Sequence, residues 1–377
     1  MIYLDNNAST PVDPEVAEAV IFALRNNFGN PSSSHKAGRT AREAVETARE
    51  MVASLINASP HEIFFTSGGT ESNNLAITGI ASKNKRGHII TSIIEHPSVM
   101  NTCRHLEENG FEITYVPAGR DGRVSAEDVE RAIRHDTILV TIMHANNETG
   151  VLQPLKEIGG ITRQRNIPFH TDAAQSAGKI PVKADELNID MLTIAAHKFY
   201  GPKGIGALYI RKGLTIKPVM SGAAHESGLR PGTENVPAIA GLGKACELSS
   251  RYTSLWASQT LSLTTMLYNG LRQRAGSITL NGHETLRLPN TVNISVRGVD
   301  AADLLERLGE RVAASSGSAC HAGSRKPSSI LLSMGISEQD ALSSIRLSTG
   351  KDNTEKEIME AIDIISASIE ALRRRSP

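Results

Sequence analysis

The stretches IPFHTDAAQSAG, residues 167–178, and DMLTIAAHKFYGPKGIG, residues 190–206, decide the fold of this chain. Each begins with an apolar run of strand length and continues into a polar cluster. The first run leads to Asp172, and the second leads to His197 and Lys198. In open α/β sheets, ligands bind at the carboxyl ends of the strands. The two polar clusters are therefore expected to meet at one edge of a sheet.

Apolar runs of strand length alternate with amphipathic segments of helix length from about residue 40 to 215. This alternation predicts an α/β domain with a mostly parallel sheet and helices on both faces. A long helical stretch from about residue 235 leads into a smaller α+β domain. We predict a large domain over residues 13–245 and a small domain formed by residues 246–377 with residues 1–12. The expected strands of the large domain are residues 62–67, 88–93, 112–117, 137–144, 167–172, 190–196 and 206–211.

Composition and charge exclude several classes of protein. The 377 residues include 40 Lys and Arg and 40 Asp and Glu, and no basic stripe is present, which argues against direct nucleic-acid binding. No apolar stretch approaches the length of a membrane span, and a signal peptide is not expected. The three cysteines are far apart, so neither a disulfide framework nor a zinc site is expected. A cytoplasmic location follows as an expectation.

A lysine and a carboxylate on neighbouring strand ends meet the needs of pyridoxal 5'-phosphate (PLP). The lysine holds this cofactor as a Schiff base, and the carboxylate keeps the pyridine nitrogen protonated so that the ring can accept electrons. Lys198 is favoured over Lys203 because it follows His197 directly and precedes a turn rich in glycine. Gln175, three residues after Asp172, could reach the same edge of the ring.

The segment TSGGTESNN, residues 66–74, follows a predicted strand and opens a predicted helix. Glycines let the backbone approach an anion, and a helix N-terminus offers free N–H groups to it. Gly69 and Thr70 are thus candidates for binding the cofactor's phosphate. A plain capped turn between a strand and a helix would have the same sequence pattern.

Two further polar side chains are predicted to end strands. His96, in IEHPSV, could stack on a cofactor ring and move protons, or it could be a structural hydrogen-bonding residue. Asn147, in MHANNETG, could bond to the cofactor's phenolic oxygen, or it could stabilise a turn.

Cys320 lies in SSGSACHAGSRKPSS, residues 315–329, which is predicted to be a mobile loop. A thiolate on such a loop can attack one partner and deliver its cargo to another. Cys103 and Cys246 lie in apolar, helix-like surroundings and are expected to be buried and inert. Arg346 lies between Ile345 and Leu347, and its guanidinium is suited to binding an amino-acid carboxylate.

Together these residues resemble the NifS/IscS-type cysteine desulfurases, which belong to the class-V aminotransferase family and to the fold-type-I PLP enzymes. The matching motifs lie along nearly the whole chain in the family's order. They are YLDNNASTPVDP, FGNPSSSH, FTSGGTESNN, EHPSV, MHANNETGV, HTDAAQSAGK, AHKFYGPKGIGALY, RPGTEN, LPNTVNIS, SSGSAC and IRLSTG.

The resemblance implies a role for each candidate. Lys198 would hold PLP and move protons, Asp172 would pair with the pyridine nitrogen, and His96 would stack on the ring. The remaining cofactor contacts would be made by Asn147 and Gln175 at the ring oxygen and by Gly69, Thr70 and His197 at the phosphate.

The resemblance also implies the substrate L-cysteine and a homodimer. Thr233 would reach the phosphate of the other subunit, and Arg346 would bind the substrate carboxylate. Cys320 would take the sulfur as a persulfide, leaving L-alanine, and would pass it to an iron–sulfur scaffold or another thiolation enzyme.

The chain departs from the family pattern at several positions. Ala195 stands where many relatives have a phosphate-binding serine. GAAHESG stands where relatives read GGGHERG or GGGQERG, so Ala223, Ala224 and Ser227 remove glycines and an arginine. His321 follows the cysteine in place of Thr or Ser. A selenocysteine lyase and a weakly active PLP-binding scaffold therefore stay as alternatives. An aminotransferase ranks lower because it has no use for Cys320.

Overall fold

The structure is a computed structural model that describes residues 1–316 and 326–374. Its strands are β1 Ile2–Tyr3, β2 Ile63–Thr66, β3 His88–Ser92, β4 Glu112–Val116, β5 Thr137–Thr141, β6 Phe169–Asp172, β7 Met191–Ala195, β8 Gly206–Ile210, β9 Ile278–Leu280, β10 Thr291–Val296, β11 Val312–Ala313, β12 Ser315–Ser316 and β13 Ser344–Ser348. Its α-helices are α1 Pro14–Asn26, α2 Lys36–Leu55, α3 Gly69–Ala81, α4 Pro97–Glu108, α5 Ala126–Ala132, α6 Leu155–Gln164, α7 Val236–Ala275, α8 Ala301–Leu308, α9 Ser329–Ser333, α10 Glu338–Leu342 and α11 Glu355–Arg373.

Seven strands form the central sheet in the order β2-β8-β7-β6-β5-β3-β4. Every pair is parallel except those of β8, which runs antiparallel to both of its neighbours. Adjacent residues of one strand pack on opposite faces, since Ile89 joins an apolar cluster with α3 and α4 whereas Ile90 joins one with α2 and α7. The predicted α/β domain with a mostly parallel sheet is therefore confirmed.

The prediction that His96 ends a strand is wrong. Strand β3 ends at Ser92, and His96 is the N-cap of α4, where its Nδ1 accepts a hydrogen bond from the backbone N–H of Ser98 at 3.1 Å. Pro97 causes the difference, because proline cannot donate to a sheet ladder and favours the first position of a helix. Asn147 and Lys198 likewise lie beyond the ends of β5 and β7.

The second sheet has the order β12-β13-β10-β9 and packs with α8 and α11. Strand β1 pairs with β11 in this part of the molecule. Helix α7 contributes to two apolar clusters, with Val236–Leu248 beside the central sheet and Leu263–Ala275 beside the second sheet. The predicted domain boundary at residues 245 and 246 falls inside this helix, and the domain bounds stay predictions.

Cys103 and Cys246 are buried, as predicted. In the part of the chain that the structure describes, none of the helices has the length and apolar character needed to cross a membrane.

Candidate functional site

A cavity of ≈ 220 Å³ lies at the carboxyl edge of the central sheet. Its lining brings together eight of the predicted site residues, namely Gly69, Thr70, His96, Asn147, Asp172, Gln175, His197 and Lys198. Arg346 lies behind Asn147, to whose backbone carbonyl it donates. Thr233 is exposed and lies outside this lining, and Cys320 lies outside the described residues.

Lys198 occupies the short 3-10 turn that follows β7. Its Nζ donates to the backbone carbonyls of Asn7 at 2.8 Å and of Ala8 at 3.0 Å. Burial and, second, the charge of Arg346 lower the pKa of Lys198 to about 8. At pH 7 roughly a tenth of this amine is therefore in the neutral form that attacks a carbonyl, and at pH 8 about half is.

Asp172 is buried at the end of β6, and both of its carboxylate oxygens accept hydrogen bonds. Oδ2 accepts from Asn73 Nδ2 at 2.7 Å, and Oδ1 accepts from the backbone N–H of Ala174 at 2.9 Å. The Asn73 amide also donates to Ser98 Oγ at 2.8 Å, and that hydroxyl bonds to His96 Nδ1 at 2.8 Å. Asn73 and Ser98 thereby connect the predicted ring partner to the predicted stacking residue.

Burial is the main cause of the lowered pKa of His96. Because Nδ1 accepts from the backbone of Ser98, the neutral ring carries its proton on Nε2. His197 is also neutral, since burial and the charges of Lys198 and Lys203 lower its pKa to about 4. Both imidazoles can thus hydrogen-bond without adding a positive charge to the site.

The N-terminus of α3 forms one end of the cavity. Gly68, the N-cap, has a φ of +148° and no side-chain cap, so the first N–H groups of the helix stay available to an anion. A Cβ at Gly69 would lie 3.5 Å from the Cβ of Ala195. Ala195 therefore presents a methyl group at the place where a serine would offer a hydroxyl.

The site fits PLP on three observations. Among the described residues the buried Oδ1 of Asn147 has no hydrogen-bond partner, so this amide can turn and present its nitrogen, the α3 terminus has free donors, and Lys198 and Asp172 line the same cavity. The amide nitrogen suits the phenolic oxygen of PLP and the α3 donors suit its phosphate. Lys198 and Asp172 suit the aldehyde and the nitrogen of its ring.

Arg346 lies on β13 and is buried. Its Nη2 donates to Asp5 Oδ1 at 2.7 Å, and its Nη1 donates to the Asn147 carbonyl at 2.9 Å. Its buried Nε has no partner among the residues that the structure describes. The guanidinium plane is thereby fixed beside the cavity.

Asn7 is a connecting residue that the sequence reasoning missed. It is fully buried, and its carbonyl accepts from both Lys198 Nζ and Gln175 Nε2, the latter at 2.9 Å. Its side chain donates to Thr291 Oγ1 at 2.8 Å. Asn7 lies in the motif YLDNNASTPVDP, but nothing local in this motif indicates that a backbone carbonyl would meet Lys198.

The chain matches the family model described as Aminotransferase class-V over residues 2–360. It belongs to the class-V aminotransferase family. It is 46% identical over 379 residues to a protein named cysteine desulfurase IscS from Methanosarcina thermophila, which covers 100% of this chain and 94% of that relative. The resemblance to NifS/IscS-type enzymes is confirmed.

Two solved structures agree with this assignment. One is described as a NifS-like protein and superposes with a TM-score of 0.92 at 37% identity. The match covers 98% of this chain and 99% of the NifS-like chain. The other is described as SspA in complex with cysteine. It has a TM-score of 0.83 at 39% identity and covers 94% of this chain and 100% of its own.

Proposed function

We propose that this protein is a PLP-dependent cysteine desulfurase, which converts L-cysteine to L-alanine and takes the sulfur as a persulfide on Cys320. The observation that carries the proposal is that Lys198 and Asp172 line one cavity, in a chain whose relatives include cysteine desulfurases. The neighbouring structure solved with cysteine supports L-cysteine as the substrate.

Bound PLP supplies an electron sink for the bonds around the substrate's α-carbon. Asp172 would accept a hydrogen bond from the ring nitrogen while Asn73 holds the carboxylate in place. The first N–H groups of α3, with Thr70 and His197, would bind the phosphate. His96 would stack on the ring face.

Lys198 and Arg346 would act on two neighbouring groups of the substrate, the α-carbon and the α-carboxylate. The lowered pKa of Lys198 lets its Nζ exist as a free base that can take and return a proton near the substrate's α-carbon. The Arg346 guanidinium binds the α-carboxylate and so orients the side chain of the amino acid.

Cys320 completes the proposed reaction. Its thiolate attacks the substrate sulfur and forms a new S–S bond as the substrate's C–S bond breaks. The bonding electrons stay with the carbon, which becomes the methyl group of alanine after protonation. The role of this thiol rests on its sequence motif and on the relatives.

We further infer a homodimer in which Thr233 contributes to the partner's phosphate site, and a cytoplasmic location in which a sulfur-acceptor protein removes the persulfide. The acceptor would be an iron–sulfur scaffold or another thiolation enzyme. The division into residues 13–245 and 246–377 with 1–12 also remains part of the proposal.

The test uses the purified protein with PLP, L-cysteine and a thiol reductant. Alanine and sulfide should form in equal amounts, and Cys320→Ala should lose sulfide while it keeps PLP. A parallel reaction with selenocysteine decides the first alternative, since a selenocysteine lyase would nearly ignore cysteine. Bound PLP that responds to no amino acid would support the scaffold, and turnover that needs a keto acid would support an aminotransferase.

A further inference from the structure

Lys179 lies in the turn that follows β6, seven residues after Asp172 and outside the lining of the cavity. Its Nζ donates to two side-chain oxygens, Asn7 Oδ1 at 2.9 Å and Gln175 Oε1 at 3.0 Å. Neither the sequence motifs nor the proposed mechanism assigns a role to this lysine. Its two partners are residues that line or support the cofactor site.

The contacts of Gln175 permit one orientation of its amide group. Nε2 donates to the backbone carbonyl of Asn7 at 2.9 Å, and a carbonyl can only accept. The oxygen end therefore faces Lys179, which supplies the donor that it needs. Since an amide nitrogen has two hydrogens, the second one is left for a group inside the cavity that Gln175 lines.

We propose that Lys179 is a positioning residue that holds the Gln175 amide with its nitrogen available to the cavity, so that this nitrogen donates to the phenolic oxygen of PLP. This inference rests on the proposed function and extends it to a residue that does not touch the cofactor. Without Lys179, Oε1 has no donor and only the Asn7 carbonyl still orients the amide, so the nitrogen is held less firmly towards the phenolic oxygen and its hydrogen bond weakens.

Lys179 can donate to both side-chain oxygens whether or not it is charged. Burial and, second, the charges of Lys198 and Arg346 hold the pKa of Lys179 well below its usual range. An amine and an ammonium group both have hydrogens for two oxygens. Lys179 therefore orients the Gln175 amide by donating a hydrogen bond to Oε1. This effect does not depend on a positive charge at Lys179.

The test is a double-mutant cycle of Lys179→Met and Gln175→Ala, read on the holoenzyme without substrate. The first readout is the pH midpoint of the visible absorption band of bound PLP. The second is the Kd for PLP, measured on apoprotein. Lys183→Met is the matched control, because Lys183 is exposed and its Nζ pairs with Glu186 Oε1 at 2.9 Å.

We expect Lys179→Met to move the pH midpoint upwards by about one unit and to weaken PLP binding about ten-fold, as the loss of one hydrogen bond to a charged oxygen would do. A donor to the phenolic oxygen lessens that oxygen's attraction for the nearby proton, so its loss raises the midpoint. In the Gln175→Ala background the same change should have almost no further effect. Lys183→Met should match the wild type.

The other charged groups that act on Lys198 are Asp172 on β6, Arg346 on β13 and Asp5 after β1. They are the same in the wild type, the two single variants and the double variant. An equal shift from Lys179→Met in both backgrounds would show that Lys179 acts through its charge and would overturn the proposal. An unchanged midpoint in the single variant would overturn it too.

Thermal unfolding checks that each variant folds. If Lys179→Met does not fold, Lys179→Ala takes its place in the cycle with the same expectations. A wild-type protein that fails to bind PLP or to release alanine contradicts the proposed function. If the wild type binds PLP and releases alanine, and the Lys179 variant has the same pH midpoint and the same Kd for PLP as the wild type, this inference alone is contradicted.

Discussion

The guanidinium of Arg346 and the carboxylate of Asp5 form an ion pair beside the cavity, with Nη2 and Oδ1 2.7 Å apart. Asp5 Oδ2 also accepts from Ser315 Oγ at 2.8 Å, which fixes the carboxylate in turn. The predicted substrate-binding arginine is therefore held in one plane by a residue at the other end of the sequence.

Removal of Asp5 should weaken substrate binding more than it slows the chemistry. In Asp5→Ala the guanidinium loses the oxygen that fixes its plane, and we expect the KM for L-cysteine to rise about ten-fold, the effect of one charge-assisted hydrogen bond. The kcat should change less. Steady-state alanine release measures both. Asp352→Ala, at an exposed carboxylate paired with Lys351, is the control and should behave as wild type.

Replacement of Lys198 should abolish turnover and the visible band of the bound cofactor. Lys198→Ala removes the amine proposed to hold PLP and to move the proton, whereas Lys203→Ala removes an exposed lysine five residues away. Absorption spectra and alanine assays of both variants decide between the two lysines. Normal turnover by Lys198→Ala would exclude its assigned role.

The reaction of apoprotein with PLP should speed up as the pH rises through about 8. The lowered pKa of Lys198 means that the reactive neutral amine forms at this pH and not near its ordinary value of 10.5. Reconstitution rates followed by absorbance between pH 6 and pH 10, roughly the range over which this amine loses its proton, give the midpoint. A rate that still rises steeply at the upper limit would mean that burial and Arg346 do not act on this amine as described.

A hydroxyl at position 195 should improve phosphate binding. Ala195→Ser places a donor next to Gly69, and one hydrogen bond to phosphate should tighten PLP binding about ten-fold. Pyridoxal, which lacks the phosphate, is the control ligand, and its affinity should stay the same. Equal gains for both ligands would show that the hydroxyl acts elsewhere.

The central sheet could be predicted from the sequence because buried strands have continuous apolar runs that end in polar clusters. Asp172, Lys198 and Gly69 follow such runs, and the topology brings them together. For His96 the apolar run alone predicts a strand end, whereas Pro97, which the sequence also shows, begins a helix and makes His96 its N-cap.

The contacts of Asn7, Asp5 and Lys179 could not be predicted in the same way. Each depends on segments that are distant in the sequence, such as the 191 residues that separate Asn7 from Lys198. The direction of the Gln175 amide likewise depends on which neighbours donate and which accept, and only the assembled site determines these neighbours.

The proposed function requires Lys198 and Cys320 to act in one reaction that moves sulfur from L-cysteine to the protein. A single-turnover reaction of the holoenzyme with L-cysteine, without reductant, tests this requirement through quantification of alanine and mass analysis of the peptide that contains Cys320. We expect one alanine per active site and the added mass of one sulfur atom on Cys320. Alanine formed in equal yield by Cys320→Ala, or a Cys320 peptide without added sulfur, would contradict it.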